Sequence, residues 1–500
     1  MSKVFELKVD GLKKIRKIDN RLMSYNVEMT EVTGGTFWKR YSKEVIEGKE
    51  SFPPLKSIMD MGSIMQVYPP INLYDEKLRN LAKEFGPVWV RVSGTWATKT
   101  YYDLENKTNG AVPEGYQSVL TKEQWTGVLD FVKFLGAKLL VSVNNCEGLH
   151  KASEPWPEEQ AKALFEFSKN YGTPIDAAEF MNEPNMLAFS GAPSGYTSKD
   201  YVRDQDLFFK WVRENYPDTL LVGPCTVAME NAKDGDLNAG GIVSMMGDNC
   251  TTDQLMEGTK EPLDVYSYHY YNGISDRLAS TMPQMHWDPN KTLSEEYLNV
   301  ALASCKSSIP SRDKYCPNGQ MWVTESGDAG GGGNSWASTF MDVFRTLNEL
   351  GGFSKLTDGI IFHNTLASSD YGFLDYSTFD PRPNYFAVLL WTKLMGETVY
   401  ESEIPTQEGA HVYVHSSKDG KGLSYLVINN SKEESTFVKL PKKANVYSLS
   451  SKFLRSPIMM LNNKELVLGK NNSLPNLEGE EVKAGTLELK PATCTFITFE

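Results

Sequence analysis

Two glutamates in this chain each stand where an apolar run breaks off. Glu183 lies in Ala178-Glu179-Phe180-Met181-Asn182-Glu183-Pro184-Asn185, where a buried strand from Ile175 to Met181 gives way to an Asn-Glu pair and a proline. Glu325 lies in Met321-Trp322-Val323-Thr324-Glu325-Ser326-Gly327, a second apolar strand that runs to a glutamate and then to glycine. A lone acid at a strand end is most simply a solvated carboxylate. A pair of them points to chemistry, because the C-terminal strand ends of a parallel α/β barrel form its catalytic face. Two carboxyls facing each other there can protonate a glycosidic oxygen and stabilise the oxocarbenium-like centre it leaves behind. Close carboxylates cannot both ionise cheaply, so one stays protonated near neutral pH. Glu183 is assigned as acid/base, since Asn182 beside it can hold a sugar hydroxyl. Glu325 is assigned as nucleophile, since the glycines after it leave its approach uncrowded.

Those acids need a closed barrel to bring them together, and the strand-helix alternation supplies one. Strands are expected at Arg21–Thr30, Val88–Thr95, Lys138–Asn145, Ile175–Met181, Leu220–Cys225, Leu263–Tyr271, Met321–Gly327 and Gly359–Asn364. Helices are expected at Lys122–Leu135, Glu158–Asn170, Tyr201–Glu214, Ser294–Ser307, Trp336–Leu350 and Tyr385–Met395. The long segment from Glu31 to Leu73, rich in Gly, Pro and Lys, has the length of a loop that lines a site. Beyond residue 395 short alternating strands such as Val412–His415, Leu423–Ile428, Thr436–Leu440 and Thr495–Phe499 read as an antiparallel sandwich. The expected architecture is a (β/α)₈ TIM barrel at 21–395 with a C-terminal antiparallel β-sandwich domain at 396–500. The strands within 1–20 are expected to pair with the sandwich, because an eight-strand count leaves them no place in the barrel.

Composition narrows the partners. With 40% hydrophobic and 23% charged residues the chain has ample core, and its formal net charge is −13. A surface of that sign repels nucleic acid and anionic membranes, and does not draw in a densely sulfated polymer. No apolar run approaches the ~20 residues of a membrane helix, and the opening residues lack the apolar core of a signal peptide. The six cysteines show no C-x-x-C and no zinc spacing; Cys305 and Cys316 flank a loop and are candidates to bridge, the others being buried thiols. Five sequons, at Asn106, Asn249, Asn290, Asn429 and Asn471, matter only in a secreted chain. His150, His269 and His363 lack a partner at ligand spacing and read as structural, so no metal and no cofactor are expected. Trp96 and Trp336 are candidates either for sugar stacking or for barrel packing.

Several further motifs occur in order with the two acids: Tyr268-His269-Tyr270-Tyr271-Asn272-Gly273, Gly330-Gly331-Gly332-Gly333, Tyr371-Gly372-Phe373-Leu374-Asp375 and Phe379-Asp380-Pro381-Arg382-Pro383-Asn384-Tyr385. With Asn182-Glu183-Pro184-Asn185 and Thr324-Glu325-Ser326 they make the chain resemble glycoside hydrolase family 79, the retaining heparanase and β-glucuronidase family, from about Glu28 into the sandwich. The resemblance implies Glu183 as acid/base, Glu325 as nucleophile and Asn182 on the sugar 2-hydroxyl. It implies Tyr270 as the tyrosine beside the nucleophile; read as residues alone, Tyr270 and Tyr271 are each candidates either for the site or for core aromatics capping their strand. The resemblance also implies that Tyr371 and the amides of Gly331 and Gly332 take the glucuronate carboxylate, and that Glu28 hydrogen-bonds sugar hydroxyls. An anion held by glycine amides needs no cationic side chain. Position 268 is Tyr where heparanase-like members tend to have His. Ile274 stands where relatives that grip sulfated chains place a base. Both departures lead away from a sulfated substrate.

The sequence therefore reads as a retaining β-glucuronidase acting on terminal, non-sulfated glucuronic acid in a glycan or glucuronide, as a monomer or small homo-oligomer. The rivals are an endo-β-glucuronidase of heparanase or hyaluronidase type and an inert carbohydrate-binding protein on the same fold; a binding module has no need of a carboxylate pair.

Overall fold

The computed structural model describes residues 4–227 and 250–499; the sequon at Asn249 lies outside them. Eight parallel strands close on one another in chain order: β1 (Met23–Glu28), β2 (Trp89–Ser93), β3 (Lys138–Ser142), β4 (Ala177–Glu179), β5 (Leu220–Val227), β6 (Val265–Tyr271), β7 (Gln320–Gly327) and β8 (Ile361–His363), with β8 pairing back to β1. The expected (β/α)₈ barrel is the observed one. Crossover helices include Lys122–Leu135, which opens on a Thr121/Gln124 capping box and closes on a left-handed Gly136. The helix expected over Trp336–Leu350 begins only at Val343, because Thr339 caps a tighter turn at Phe340–Asp342 first. β4 is shorter than the apolar run that announced it, so the chain leaves the ladder well before Glu183.

Alternation along the strands sorts the barrel into layers. Trp89, Leu140, Val222, Val265, Trp322 and Phe362 form an apolar cluster. One step along β2 and β4, on the same inward face, come Arg91 and Glu179, which are ion-paired. Tyr266, Tyr268 and Tyr270 take the opposite parity on β6 and join the main core between barrel and helices.

The region after the barrel forms two sheets. The larger contains Met395–Tyr400, His411–Ser417, Leu423–Asn429, Thr493–Phe499 and Ala444–Ser450, and Lys14–Lys17 pairs antiparallel along its Met395–Tyr400 edge. The smaller contains Thr436–Leu440 and Gly485–Leu489, with Val4–Glu6 added in parallel. Val412, Val414, Tyr425 and Val427 face the smaller sheet's side. The intervening Tyr413, Leu426 and Ile428 belong to the barrel's own core. The large sheet is thus buried on both faces, and one of them is continuous with the barrel. Cys305 and Cys316 are both free, buried thiols. No helix among the described residues is long and apolar enough to cross a membrane.

Behind β7, Arg345 on the helix Val343–Leu356 donates to Asp342 (2.7 Å) and Glu349 (3.0 Å), and Glu349 in turn accepts from Ser326 Oγ at 2.5 Å. All four are buried. Removing one member of a buried charge set strands the rest, at a cost of about 3–5 kcal/mol. Arg345→Met is therefore expected to lower the thermal unfolding midpoint markedly. Lys439→Ala, which deletes only an exposed pair with Glu6, should leave the midpoint unchanged; equal shifts would show that the buried set carries no special weight.

Candidate active site

The two acids reach the same cavity by different backbone devices. Parity counted from Trp322 would turn Glu325 outward, but the β6–β7 register shifts between Tyr268/Val323 and His269/Glu325. That bulge re-aims Glu325 into the barrel. Glu183 lies past the end of β4 at φ 45°, ψ 54°, a left-handed conformation that non-glycine residues seldom adopt. One ligand-capable atom each from Glu183, His269 and Glu325 lies within 4.8 Å of the others. One oxygen of Glu183 thus lies within 4.8 Å of one oxygen of Glu325, closer to the ~5–5.5 Å of retaining pairs than to the ~6.5–9.5 Å of inverting ones. A cavity of about 120 Å³ opens over them, lined also by Glu28, Tyr371, Gly331 and Gly330.

Arg91 is the centre of the polar layer beneath. It donates to Glu179 Oε2 (2.9 Å), to Glu325 Oε1 (3.1 Å) and to Asn182 Oδ1 (2.8 Å). Asn182 is therefore held from behind, beside Glu183. His269 places Nδ1 3.0 Å from Glu183 Oε1 and Nε2 3.4 Å from Arg91. A guanidinium can only donate, so Nε2 accepts and Nδ1–H donates to Glu183. His269 is not the structural histidine expected, whereas His150 and His363 are: His150 holds Asn145, and His363 holds the Tyr371 carbonyl at 2.7 Å. Burial keeps His363 uncharged, with its pKa lowered to about 3.

The tyrosine on Glu325 is Tyr271 and not Tyr270. Tyr271 donates to Glu325 Oε2 at 2.6 Å, while Tyr270 points into the helix layer with its hydroxyl unpartnered. The pleat decides this: His269 faces inward, so Tyr271 does and Tyr270 cannot. Asn364 donates to both Tyr271 (3.0 Å) and Tyr371 (3.1 Å), fixing the two hydroxyls side by side. Trp96 reaches the cavity; Trp336 is buried elsewhere, against His286.

The glycine turn has φ of 85°, 89° and 81° at Gly331, Gly332 and Gly333, values that glycine alone adopts freely. Its carbonyls are all engaged. Arg277 and Ser275 bind Gly331 O at 3.1 and 2.8 Å, Ser369 binds Gly332 O at 2.8 Å, and Arg277 and Tyr41 bind Gly333 O at 2.9 and 3.0 Å. The amides of Gly330 and Gly333 donate to Gly273 O and Ala329 O. Those of Gly331 and Gly332 have no protein acceptor among the described residues. The insertion is part of the same wall: its hairpin Gly35–Trp38/Met65–Tyr68 brings Trp38 against the turn.

Electrostatics split the acids. Burial pushes Glu183 above the usual carboxyl range; the His269 hydrogen bond opposes the rise and the Glu325 charge reinforces it. Burial raises Glu325 too, but His269, Arg91 and the Tyr271 hydroxyl outweigh it and hold that carboxyl below its usual range. The two acids are thus pushed in opposite directions, Glu183 toward its protonated form and Glu325 toward its ionised one.

A barrel whose strand ends set a protonated carboxyl against an ionised one is built to break glycosidic bonds, which places the chain among the barrel glycoside hydrolases. Residues 62–351 match the glycosyl hydrolase family 79 N-terminal domain, more than half of the sequence, and the chain belongs to that family. It is 26% identical over 384 residues to heparanase-like protein 1 of Arabidopsis thaliana, an alignment covering 74% of this chain and 66% of that one. It is 24% identical over 472 residues to baicalin-β-D-glucuronidase of Scutellaria baicalensis, covering 85% and 83%. Its fold follows that of a 4-O-α-L-rhamnosyl-β-D-glucuronidase from Fusarium oxysporum, with a TM-score of 0.64, 11% identity, and 99% and 100% coverage.

Tyr271→Phe removes a donor that lowers the Glu325 pKa. The acid limb of the kcat/KM profile should therefore move to higher pH, with the maximum falling about ten- to a hundred-fold, the worth of a charge-assisted hydrogen bond. Tyr270→Phe should leave both as they are. A profile that responds to Tyr270→Phe instead would reverse the assignment.

Proposed function

We propose that the chain is a retaining β-glucuronidase that removes terminal, non-sulfated β-linked glucuronic acid from glycans or glucuronides. The observation that carries this reading is that Gly331 and Tyr371 line the same cavity as the acid pair, and that the Gly331 and Gly332 amides have no protein acceptor among the described residues. Together they are uncharged donors suited to a carboxylate. Glu28 lines the same cavity and suits a sugar hydroxyl; Asn182, buried beside Glu183 and held by Arg91, is the second candidate.

In the proposed reaction Glu183 gives its proton to the glycosidic oxygen as Glu325 attacks the anomeric carbon. The C–O bond to the leaving group breaks and a glycosyl ester of Glu325 forms. Glu183, now ionised, takes a proton from water, whose oxygen displaces Glu325. The short separation of the two acids favours this double displacement over direct attack by water. Arg91 and Tyr271 stabilise Glu325 as it leaves.

Glu325→Gln should abolish turnover without unfolding the protein. Because Glu325 must be ionised and Glu183 protonated, activity should rise as Glu325 deprotonates, below the usual carboxyl range. It should fall as Glu183 loses its proton, above that range, giving an acidic-to-neutral bell. Once Glu325 is esterified its charge is gone, so the upper limb should move down for the second step; a flat profile from pH 4 to 9 would rule this out.

Specificity is tested with p-nitrophenyl β-D-glucuronide beside the β-D-glucoside. Tyr371→Phe should lower kcat/KM for the glucuronide roughly ten- to a hundred-fold and spare the glucoside. If both fall together, Tyr371 does not read the carboxylate.

A further inference from the structure

Apart from the acids, Tyr271, Asn364, Tyr371 and the glycine turn, the described wall of the cavity is apolar except for Thr95. The direction of the leaving group follows from chemistry, since the general acid must lie against the glycosidic oxygen. In the proposed reading that acid is Glu183, and the turn after it, Pro184–Met186, carries Met186 and then Phe189 into the cavity. Val227 joins them there, its backbone clasped by Asn185 through a 3.2 Å and a 3.1 Å hydrogen bond. Trp96 comes from the neighbouring loop, which packs Lys99 against Gly191, and Phe37 holds its ring edge-on at 5.0 Å. Phe189, Val227 and Trp96 are all half-buried. The other apolar residues belong to the far end: Leu278 lies against Gly331 and Trp38 against Gly332. Among the described lining residues there is no cation at all.

We infer that the leaving-group side of this site takes a flat, uncharged, apolar aglycone of the phenol class rather than a further stretch of charged polysaccharide. The inference rests on the glucuronidase reading above. A polyanionic chain would bring carboxylates or sulfates onto Met186, Phe189 and Val227, which offer no donor and would strip those groups of water. An aromatic ring loses little there and gains contact with Trp96 and Phe189.

Turnover alone would confound aglycone binding with leaving-group acidity, so the test uses unhydrolysed analogues. Competitive inhibition constants are measured for phenyl 1-thio-β-D-glucuronide, methyl 1-thio-β-D-glucuronide and a thio-linked glucuronosyl-N-acetylglucosamine. The phenyl compound should bind at least about tenfold more tightly than the other two, equivalent to about 1.4 kcal/mol. Phe189→Ala, at a half-buried position, should shrink that ratio to about threefold or less while leaving the methyl constant unchanged. Equal affinity for phenyl and methyl compounds, tighter binding of the disaccharide, or equal loss for both in Phe189→Ala would each overturn the inference. If methyl 1-thio-β-D-glucoside inhibits and neither simple thioglucuronide does, the glucuronate reading fails, and this inference with it. That failure is separable from the others, because it appears in the sugar and not in the aglycone.

Discussion

Arg91 sits fully buried in the barrel, with one guanidinium shared between Glu179, Glu325 and Asn182. Burial by itself disfavours its charge, but Glu179 and Glu325 more than restore it and its pKa rises. With His269 and the Tyr271 hydroxyl, Arg91 favours the ionised form of Glu325. Glu325 touches the guanidinium and Glu183 does not, and burial prevails at Glu183. The acid and the base of the site are thus distinguished by geometry one layer below them. That layer rests on the apolar cluster around Trp89 and Trp322, which seals it from the far side of the barrel.

A second buried guanidinium, Arg277, does comparable work at the other end of the cavity. It spans Gly331 O, Gly333 O and the Lys39 carbonyl, pairs with Asp370, and lies 3.9 Å above the Tyr41 ring. A peptide whose carbonyl is drawn toward a cation presents its amide on the opposite side. Arg277 therefore orients the glycine turn without lining the cavity itself, and through Gly331 O it polarises the peptide that carries the Gly332 amide. Through Lys39 and Tyr41 it also fastens the Glu31–Leu73 insertion to that turn, so the insertion's length has a structural reason.

Much of this was legible from residue order, and the omissions share a cause. Glu183 and Glu325 stand out because strand ends are marked by composition, by a proline in one case and glycines in the other. The direction a side chain takes is not so marked. Tyr270 and Tyr271 differ by a single step of the pleat, and only the contact of His269 with Glu183 fixes which step faces inward. The bulge that turns Glu325 inward has no signature in Val323-Thr324-Glu325. Arg91 did leave a signal: a lone arginine in Val88-Trp89-Val90-Arg91-Val92 is a charge in an otherwise buried strand, and such a charge requires partners. His269 left none, because a histidine among tyrosines reads equally as core.

The same burial that orders the acids resolves an apparent contradiction in the proposed substrate. A cavity lined by Glu28, Glu183 and Glu325 looks hostile to an acidic sugar. Yet burial, the charge of Glu325 and that of Glu31 push Glu28 well above the carboxyl range, and Glu183 is raised too. Glu31, which supports the Glu28 amide at 2.7 Å, is raised by burial to about 8. Burial thus favours the neutral, hydrogen-bonding form of these groups over the anion, while His269 and Arg91 favour the ionised form of Glu325. An entering glucuronate meets less repulsion than the count of acids suggests. The packing that enforces this is tight. Gly94, at φ 99°, leaves the space into which Glu28 folds, and a Cβ there would collide with the carboxyl itself. A residue with no side chain is in this way part of what lets Glu28 be buried in the cavity wall.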